Sequence, residues 1–325
     1  MNKLLIITGP TATGKTALGI HLAKKFNGEI VSADSRQVYR GLDIGTGKDK
    51  QDYEQAGVPV WGLDLVDPDY NFNVSDYLKY TSVQIRLIQR RGKLPILVGG
   101  TLLYIKSLLH PPETVHVPPN DLLRKSLANL SLSELQAKLQ TVNPTKWQGM
   151  NDSDRSNPRR LIRAIEVVTT IDESTSVLSL KNGFDDTTHS NVLIISLTAP
   201  YNYLYKRIDA RVDQRVEQGI IGEIQRLLDK GYTFDLPSLS ATGYKEFKQF
   251  FLTPNSSPLA PYVQHWKFHE HAYARRQMTF LKKFLAIEQS QDRQIASFDI
   301  SLKTRDELST RVQALVGEWY SKVSD

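Results

Sequence analysis

Residues 9–16 read Gly9-Pro10-Thr11-Ala12-Thr13-Gly14-Lys15-Thr16, and no other feature of the chain restricts its fold as tightly. The string satisfies G-x-x-x-x-G-K-[ST], a turn that functions between a buried strand and a helix start. Both flanks are present. Leu4 to Thr8 is an apolar run without polar alternation, as a parallel strand covered on both faces requires, and from Lys15 the apolar residues Leu18, Leu22 and Phe26 recur at helical spacing up to Asn27-Gly28. Gly9 and Gly14 let backbone N–H groups converge into a cradle, the helix dipole adds positive potential, Lys15 brings a mobile cation, and the Thr16 hydroxyl suits phosphate or Mg²⁺. A phosphorylated ligand is therefore expected.

Further apolar runs of strand length, Ile30-Val31, Leu94 to Val98 and Val192 to Leu197, alternate with helical stretches. This predicts an α/β fold with a P-loop NTPase-like doubly wound parallel sheet. Between Pro111 and Gly183 no strong strand run occurs, whereas 122–139 and 160–168 have helical periodicity. Residues 113–183 are thus read as a helical insertion domain, and 1–112 with 184–325 as the catalytic core carrying C-terminal helices. After Pro200 long helices return, one predicted from about Tyr203 to Lys230 and another from about Thr304. The 325 residues include no cysteine, which excludes disulfides, thiolate metal sites and a cysteine nucleophile. No long apolar segment follows Met1, so a cytoplasmic protein without membrane attachment is expected, and it is further expected to be a monomer.

A phosphate turn does not by itself specify ATP. NTPases of this kind place a metal-organising acid at the end of another hydrophobic strand, and here Pro95 to Val98 runs into Gly99-Gly100-Thr101 instead. The acid nearest the cradle by topology is Asp34, at the carboxyl end of the second strand, where ligands of open α/β sheets collect. A carboxylate there binds metal, takes a proton from a nucleophile, or caps the segment that follows.

The net charge of +6 is unevenly spread. Arg207, Arg211 and Arg215 lie four apart on one ridge, with Asp209, Asp213 and Glu217 about 200° away, and none of the three has an acid three or four positions distant. Either an external anion or a solvated basic face accounts for them. Arg155, Arg159, Arg160 and Arg163 form a stretch with no acid between residues 155 and 163, which suits backbone phosphates. Lys267, Arg275, Arg276, Lys282 and Lys283 interleave with Trp266, Phe268, Tyr273 and Phe280, aromatics that serve either as stacking surfaces or as core. His265 and His269 lie four apart but lack the order and further ligand of a zinc motif.

In the order and spacing of its motifs the chain resembles the tRNA dimethylallyltransferases, also called tRNA isopentenyltransferases (the MiaA family), over nearly its whole length. The resemblance rests on the phosphate turn, Asp34 to Lys48, Val98 to Tyr104, Asn157 to Arg163, Ala241 to Glu246 and Ala274 to Gln277. Without cysteines, the chain matches the bacterial type, which has no zinc finger. The resemblance implies transfer of a dimethylallyl group from dimethylallyl diphosphate to the exocyclic amine of the adenosine at tRNA position 37, just 3′ of the anticodon. Asp34 would then be the base, with Lys15, Thr16, Thr101 and Arg211 completing the catalytic set. Gly9, Thr11, Ala12, Thr13, Gly14, Lys15, Thr16, Arg211 and Arg207 would hold the diphosphate, with Mg²⁺ at Thr16. The target base must leave its stack, and Asp34, Ser35, Arg36, Gln37, Arg159, Arg160, Leu161, Ile162, Arg163, Ser240, Ala241, Thr242, Gly243, Tyr244, Lys245, Arg275 and Gln277 would meet the tRNA anticodon stem-loop. Gly47 and Thr242 stand where many members have Ala and Ile, and Phe280 where Trp is frequent, positions expected to lie outside the chemistry. Three rival readings are a P-loop small-molecule kinase with ATP in the cradle, prenyl transfer to free adenine nucleotides, and a tRNA-binding protein whose phosphate turn is vestigial.

Overall fold

The computed structural model describes residues 3–173, 191–253 and 258–322. Six strands, β1 (Lys3–Thr8), β2 (Gly28–Ser32), β3 (Val60–Trp61), β4 (Leu94–Gly99), β5 (Asn191–Thr198) and β6 (Gln294–Asp299), form one sheet in the order β3-β2-β4-β1-β5-β6, with every pair parallel. Parallel pairing demands long crossovers. They are supplied by α1 (Lys15–Lys25), α2 (Lys50–Ala56), α3 (Val74–Arg90) and α4 (Leu102–Leu109) before the insert, and by α10 (Tyr201–Glu217), α11 (Ile220–Asp229), α12 (Lys248–Leu252) and α13 (Ala260–Gln289) after it, while α14 (Arg305–Ser321) follows the last strand. The insert itself carries α5 (Asp121–Ala128), α6 (Leu132–Val142), α7 (Pro144–Gln148), α8 (Asp152–Arg155) and α9 (Pro158–Glu173).

The four continuous apolar runs of the sequence are β1, β2, β4 and β5, and the first three are buried along their whole length. Helices α1 and α14 pack on each other and on the sheet, while α3, α4 and α13 form a second connected layer, so the sheet is covered on both faces. From β1 the chain crosses to β2 on one side and later returns to β5 on the other side of β1. That reversal opens a crevice at the carboxyl end of β1, where the phosphate turn begins.

Contacts divide the chain into two compact units, 1–110 with 186–325 and 111–185. The smaller is helical. Leu127, Leu135, Leu139, Leu161 and Ile165 form its core, and Ser131 with Glu134 makes a capping box that separates α5 from α6, so the helical stretch 122–139 is two helices. One helix expected in the larger unit is also two. Gly219, at φ 92°, ends the run between Tyr203 and Lys230 by adopting the left-handed conformation between α10 and α11.

Candidate active site

The larger unit holds a cavity of about 1300 Å³, lined by the phosphate turn, the segment after β2, residues 43–54, the ridge of α10, residues 240–242 and 245, and one face of α13. The turn owes its shape to its glycines. Gly9 has φ 150°, and a Cβ there would stand 2.3 Å from the Leu197 carbonyl oxygen; Gly14, at φ 85°, forms the N-cap of α1. Thr13 Oγ1 and Lys15 Nζ donate to the Pro10 carbonyl at 2.8 and 2.7 Å. Gln277 on α13 braces the turn, accepting from the Thr11 N–H at 2.9 Å and donating to the Gly100 carbonyl at 3.1 Å. Expected to meet RNA, it is a largely buried brace of the cradle that also lines the cavity.

Burial lowers the Lys15 ammonium to about 7, with Arg211 acting in the same sense and Asp34 in the opposite one. Thr16 hydrogen-bonds the Tyr53 phenol, which burial pushes up to about 12.

Asp34 lines the same cavity as Lys15. Its Oδ1 accepts from the backbone N–H groups of Arg36 at 2.8 Å and Gln37 at 3.4 Å, while Oδ2 has no hydrogen-bond donor among the described residues. The capping role and the base role thus fall to different oxygens of one carboxylate. Thr101 Oγ1 accepts from the Ser35 N–H at 3.1 Å, tying the turn after β4 to the segment after β2. A Cβ on Gly99 would lie 2.2 Å from the Ala33 carbonyl oxygen, so the two segments approach at a distance that only glycine allows. Gln37 joins this segment to residues 46 and 47 through their carbonyls, at 3.4 and 3.0 Å.

On α10 the arginine ridge is less free than its sequence suggests. Arg207 donates to the Ala12 carbonyl at 2.7 Å, which fastens the ridge to the phosphate turn. Arg211 meets Asp49 at 3.2 Å, an acid supplied from 162 positions away. Arg215 is buried and donates to the Gly45 carbonyl at 3.0 Å. The acids of the opposite side pair with α13, Asp209 with His271 at 2.7 Å and Asp213 with Lys267 at 2.6 Å.

Glu223, on α11, is a part of the site that no sequence motif marks. Its buried carboxylate accepts the N–H groups of Asp43, Ile44 and Gly45 at 3.0, 2.8 and 3.2 Å, and the Tyr244 hydroxyl at 2.6 Å. It thereby anchors the cavity wall. No local signal marks it, because its backbone partners lie about 180 residues upstream and Tyr244 lies 21 residues downstream.

Several residues expected at the RNA are interior instead. Tyr244 is 0% exposed, its phenol held by Glu223; Gly243 is buried against Trp266; Leu161 is 0% exposed in the insert core, with Ile162 packed on the same cluster. From the segment 240–245, Ser240, Ala241, Thr242 and Lys245 do line the cavity. The insert arginines are partly neutralised within their own unit: Arg160 pairs with Asp154, Arg163 with Glu166 at 2.5 Å, and Arg155 donates to the Trp147 carbonyl at 3.0 Å. Arg159 is exposed and has no ion-pair partner among the described residues. On α13, Trp266 is core, whereas Phe268 and Phe280 are exposed; Arg275 is exposed and lies over the Tyr205 ring, outside the cavity wall. Gly47, expected to lie outside the chemistry, sits against the Arg211 and Arg215 guanidiniums. His269 pairs with Glu246, and no group of three or more His, Asp or Glu residues able to hold a metal occurs among the described residues.

The chain matches the family model described as IPP transferase over residues 37–284 and that described as isopentenyl transferase over residues 2–61. Among similar proteins, a tRNA dimethylallyltransferase of Roseiflexus sp. (strain RS-1) is 40% identical over 87% of this chain and 91% of its own. One of Anoxybacillus flavithermus is 38% identical over 88% and 89%. The crystal structure of the full-length tRNA isopentenylpyrophosphate transferase of Bacillus halodurans superposes with a TM-score of 0.66 at 32% identity, covering 98% of this chain and 97% of that one. A eukaryotic dimethylallyltransferase acting on tRNA gives a TM-score of 0.80 at 25% identity, covering 98% and 79%. With the phosphate cradle, the Asp34 segment and the arginine ridge on one cavity, and with likeness along most of its length, this chain belongs to the tRNA dimethylallyltransferase family.

Proposed function

We infer that this enzyme moves a dimethylallyl group from dimethylallyl diphosphate to the exocyclic amine of adenosine 37 in tRNA, using the cavity between the phosphate turn and Asp34. The observation that carries this reading is a carboxylate with one oxygen fixed by backbone and the other open, on the wall that also holds Lys15 and the α10 arginines.

The exocyclic amine is a weak nucleophile because its lone pair is delocalised into the ring. As that lone pair forms the bond to the allylic carbon, the carbon–oxygen bond breaks, its electrons leave on the diphosphate, and the amine proton passes to Asp34 Oδ2. The leaving diphosphate gains negative charge at the oxygen that carried the dimethylallyl group. Lys15, the N–H groups of the turn, Arg207 and Arg211 stabilise it electrostatically, and no phosphoryl group moves. This suits a phosphate turn whose β4 ends in Gly99-Gly100-Thr101 without an acid for activating water. Thr101 holds Ser35, and through it the Asp34 segment, in register with the cradle. The tRNA contacts fall to Ser35, Arg36, Ser240, Thr242 and Lys245 on the core and to Arg159 on the insert, with the adenine flipped into the cavity.

Mg²⁺ fits the residues present. The Thr16 hydroxyl stands at the start of α1 beside the Tyr53 phenol, a hard oxygen suited to an ion that takes most of its other ligands from diphosphate and water. When bound, the ion offsets charge on the departing diphosphate. Cytoplasmic location and a monomeric state belong to the same reading; no helix among the described residues is long and apolar enough to cross a membrane. Incubation with unmodified tRNA, dimethylallyl diphosphate and Mg²⁺, followed by nucleoside mass spectrometry, is expected to show one added dimethylallyl group on the adenosine at position 37. Product on free AMP but not on tRNA would replace this reading with nucleotide prenylation.

A further inference from the structure

Arg215 has no part in the roles assigned above. It lies on the α10 ridge one turn beyond Arg211, lines the same cavity and is only 7% exposed. Of its five N–H donors, one reaches the Gly45 carbonyl at 3.0 Å, and its guanidinium carbon stands 6.0 Å from the Trp266 ring. No carboxylate forms an ion pair with it among the described residues. The carboxylates that favour its charge are engaged elsewhere, Glu270 with the Trp266 N–H at 3.3 Å and Asp49 with Arg211 at 3.2 Å, and the neighbouring Arg211 repels it. A buried guanidinium with one neutral hydrogen bond and another cation beside it is a costly arrangement unless an anion completes it.

The opposing wall is shaped to admit this side chain. Gly47 has φ 61°, and a Cβ there would stand 2.1 Å from Arg215 Nη2 and 2.4 Å from Arg211 Nη2. The glycine therefore does two things, adopting a left-handed backbone and leaving room for two guanidiniums side by side. Neither an alanine nor a larger residue would allow both to stay where they are.

We propose that Arg215 binds a phosphate group in the cavity as a second guanidinium beside Arg211, in a place that Gly47 keeps clear. Paired guanidiniums offer forked donors to one tetrahedral anion and are matched to phosphate better than a single arm. This rests on the prenyl-transfer reading for the identity of the anion: either the terminal phosphate of the donor diphosphate or a backbone phosphate of the bound tRNA.

The test uses the full chain, as wild type, Arg215→Met and Gly47→Ala. Two titrations separate the sources: calorimetry with inorganic diphosphate alone, and anisotropy with unmodified tRNA at several salt concentrations. Arg215→Met is expected to weaken one of the two about tenfold or more, with the melting temperature unchanged or raised, since an apolar side chain of similar size relieves a buried charge. Loss in the diphosphate titration assigns the donor, and loss in the tRNA titration with a shallower salt slope assigns the RNA. Gly47→Ala is expected to weaken the same titration, and to have a smaller effect in the Arg215→Met background, where Arg211 alone is left for it to displace. Both affinities within twofold of wild type in Arg215→Met would overturn the proposal, as would a lowered melting temperature with both affinities falling together, the signature of a structural arginine. Failure of the wild type to prenylate tRNA would count against the parent reading and leave the diphosphate titration as a test of Arg215 itself.

Discussion

The lowered ammonium of Lys15 makes diphosphate affinity depend on pH in a direction that can be worked out beforehand. In the folded protein without ligand the group titrates at about 7, depressed from 10.5 by burial first and by Arg211 second, against the pull of Asp34. Diphosphate prefers the charged form, so binding draws a proton onto Lys15 wherever the free protein has lost it. Affinity should be greatest below pH 7 and fall by about tenfold for each pH unit above it, until the pKa of the bound form is reached. At pH 8 the same equilibrium requires an uptake of about 0.9 proton per site at Lys15. The unfolded chain keeps this lysine protonated up to about 10.5, so between 7 and 10.5 it binds more protons than the folded chain, and Lys15 makes stability rise with pH across that window. The assay is calorimetric titration with inorganic diphosphate in two buffers of different ionisation enthalpy, with Lys15→Arg run in parallel to subtract the protons of the ligand. The arginine variant retains a cation that does not titrate in this range. A wild-type pH profile parallel to that of Lys15→Arg, with equal proton uptake, would show instead that Lys15 stays charged in the free cavity.

Glu223→Gln keeps the shape but presents an NH₂ group to backbone donors, and should destabilise the protein by about 2–3 kcal/mol through its buried, charge-assisted bonds to residues 43–45; urea unfolding checks this, and Tyr244→Phe should cost only about 1 kcal/mol. In the insert, Arg159→Ala should weaken tRNA binding and lower the salt slope by about 1, as measured by anisotropy across salt concentrations. Arg163→Ala should act mainly on stability, because Glu166 and the carbonyls of Thr114 and Val117 already engage that guanidinium.

What the sequence could disclose follows the range of the interactions concerned. The phosphate turn and its flanking strand and helix are local, each residue constrained by near neighbours, and they were legible residue by residue. So were the strands buried on both faces, whose runs are dominated by apolar side chains. Strand β6 was not, because an edge strand half open to solvent needs no such run, and Gln294 to Asp299 mixes polar with apolar residues. The insert arginines show the limit of a counting window: no acid stands within 155–163, yet Asp154 lies just before it and Glu166 three residues past Arg163, on the same helical face. Leu161 and Tyr244 fall within motifs shared with the family, but a shared motif does not separate a residue that touches substrate from one that shapes the segment around it. Glu223 and the partner of Arg211 required the fold, since each joins segments more than 160 positions apart.

The proposed mechanism requires Asp34 Oδ2 to receive the proton of the adenine amine. Single-turnover prenyl transfer by Asp34→Ala, measured beside tRNA affinity for the same protein, tests it most directly. Transfer should fall by at least about 100-fold, the scale of a lost general base, while the tRNA dissociation constant stays within a few-fold of wild type. An Asp34→Ala enzyme that prenylates tRNA at a rate near that of the wild type would contradict the mechanism.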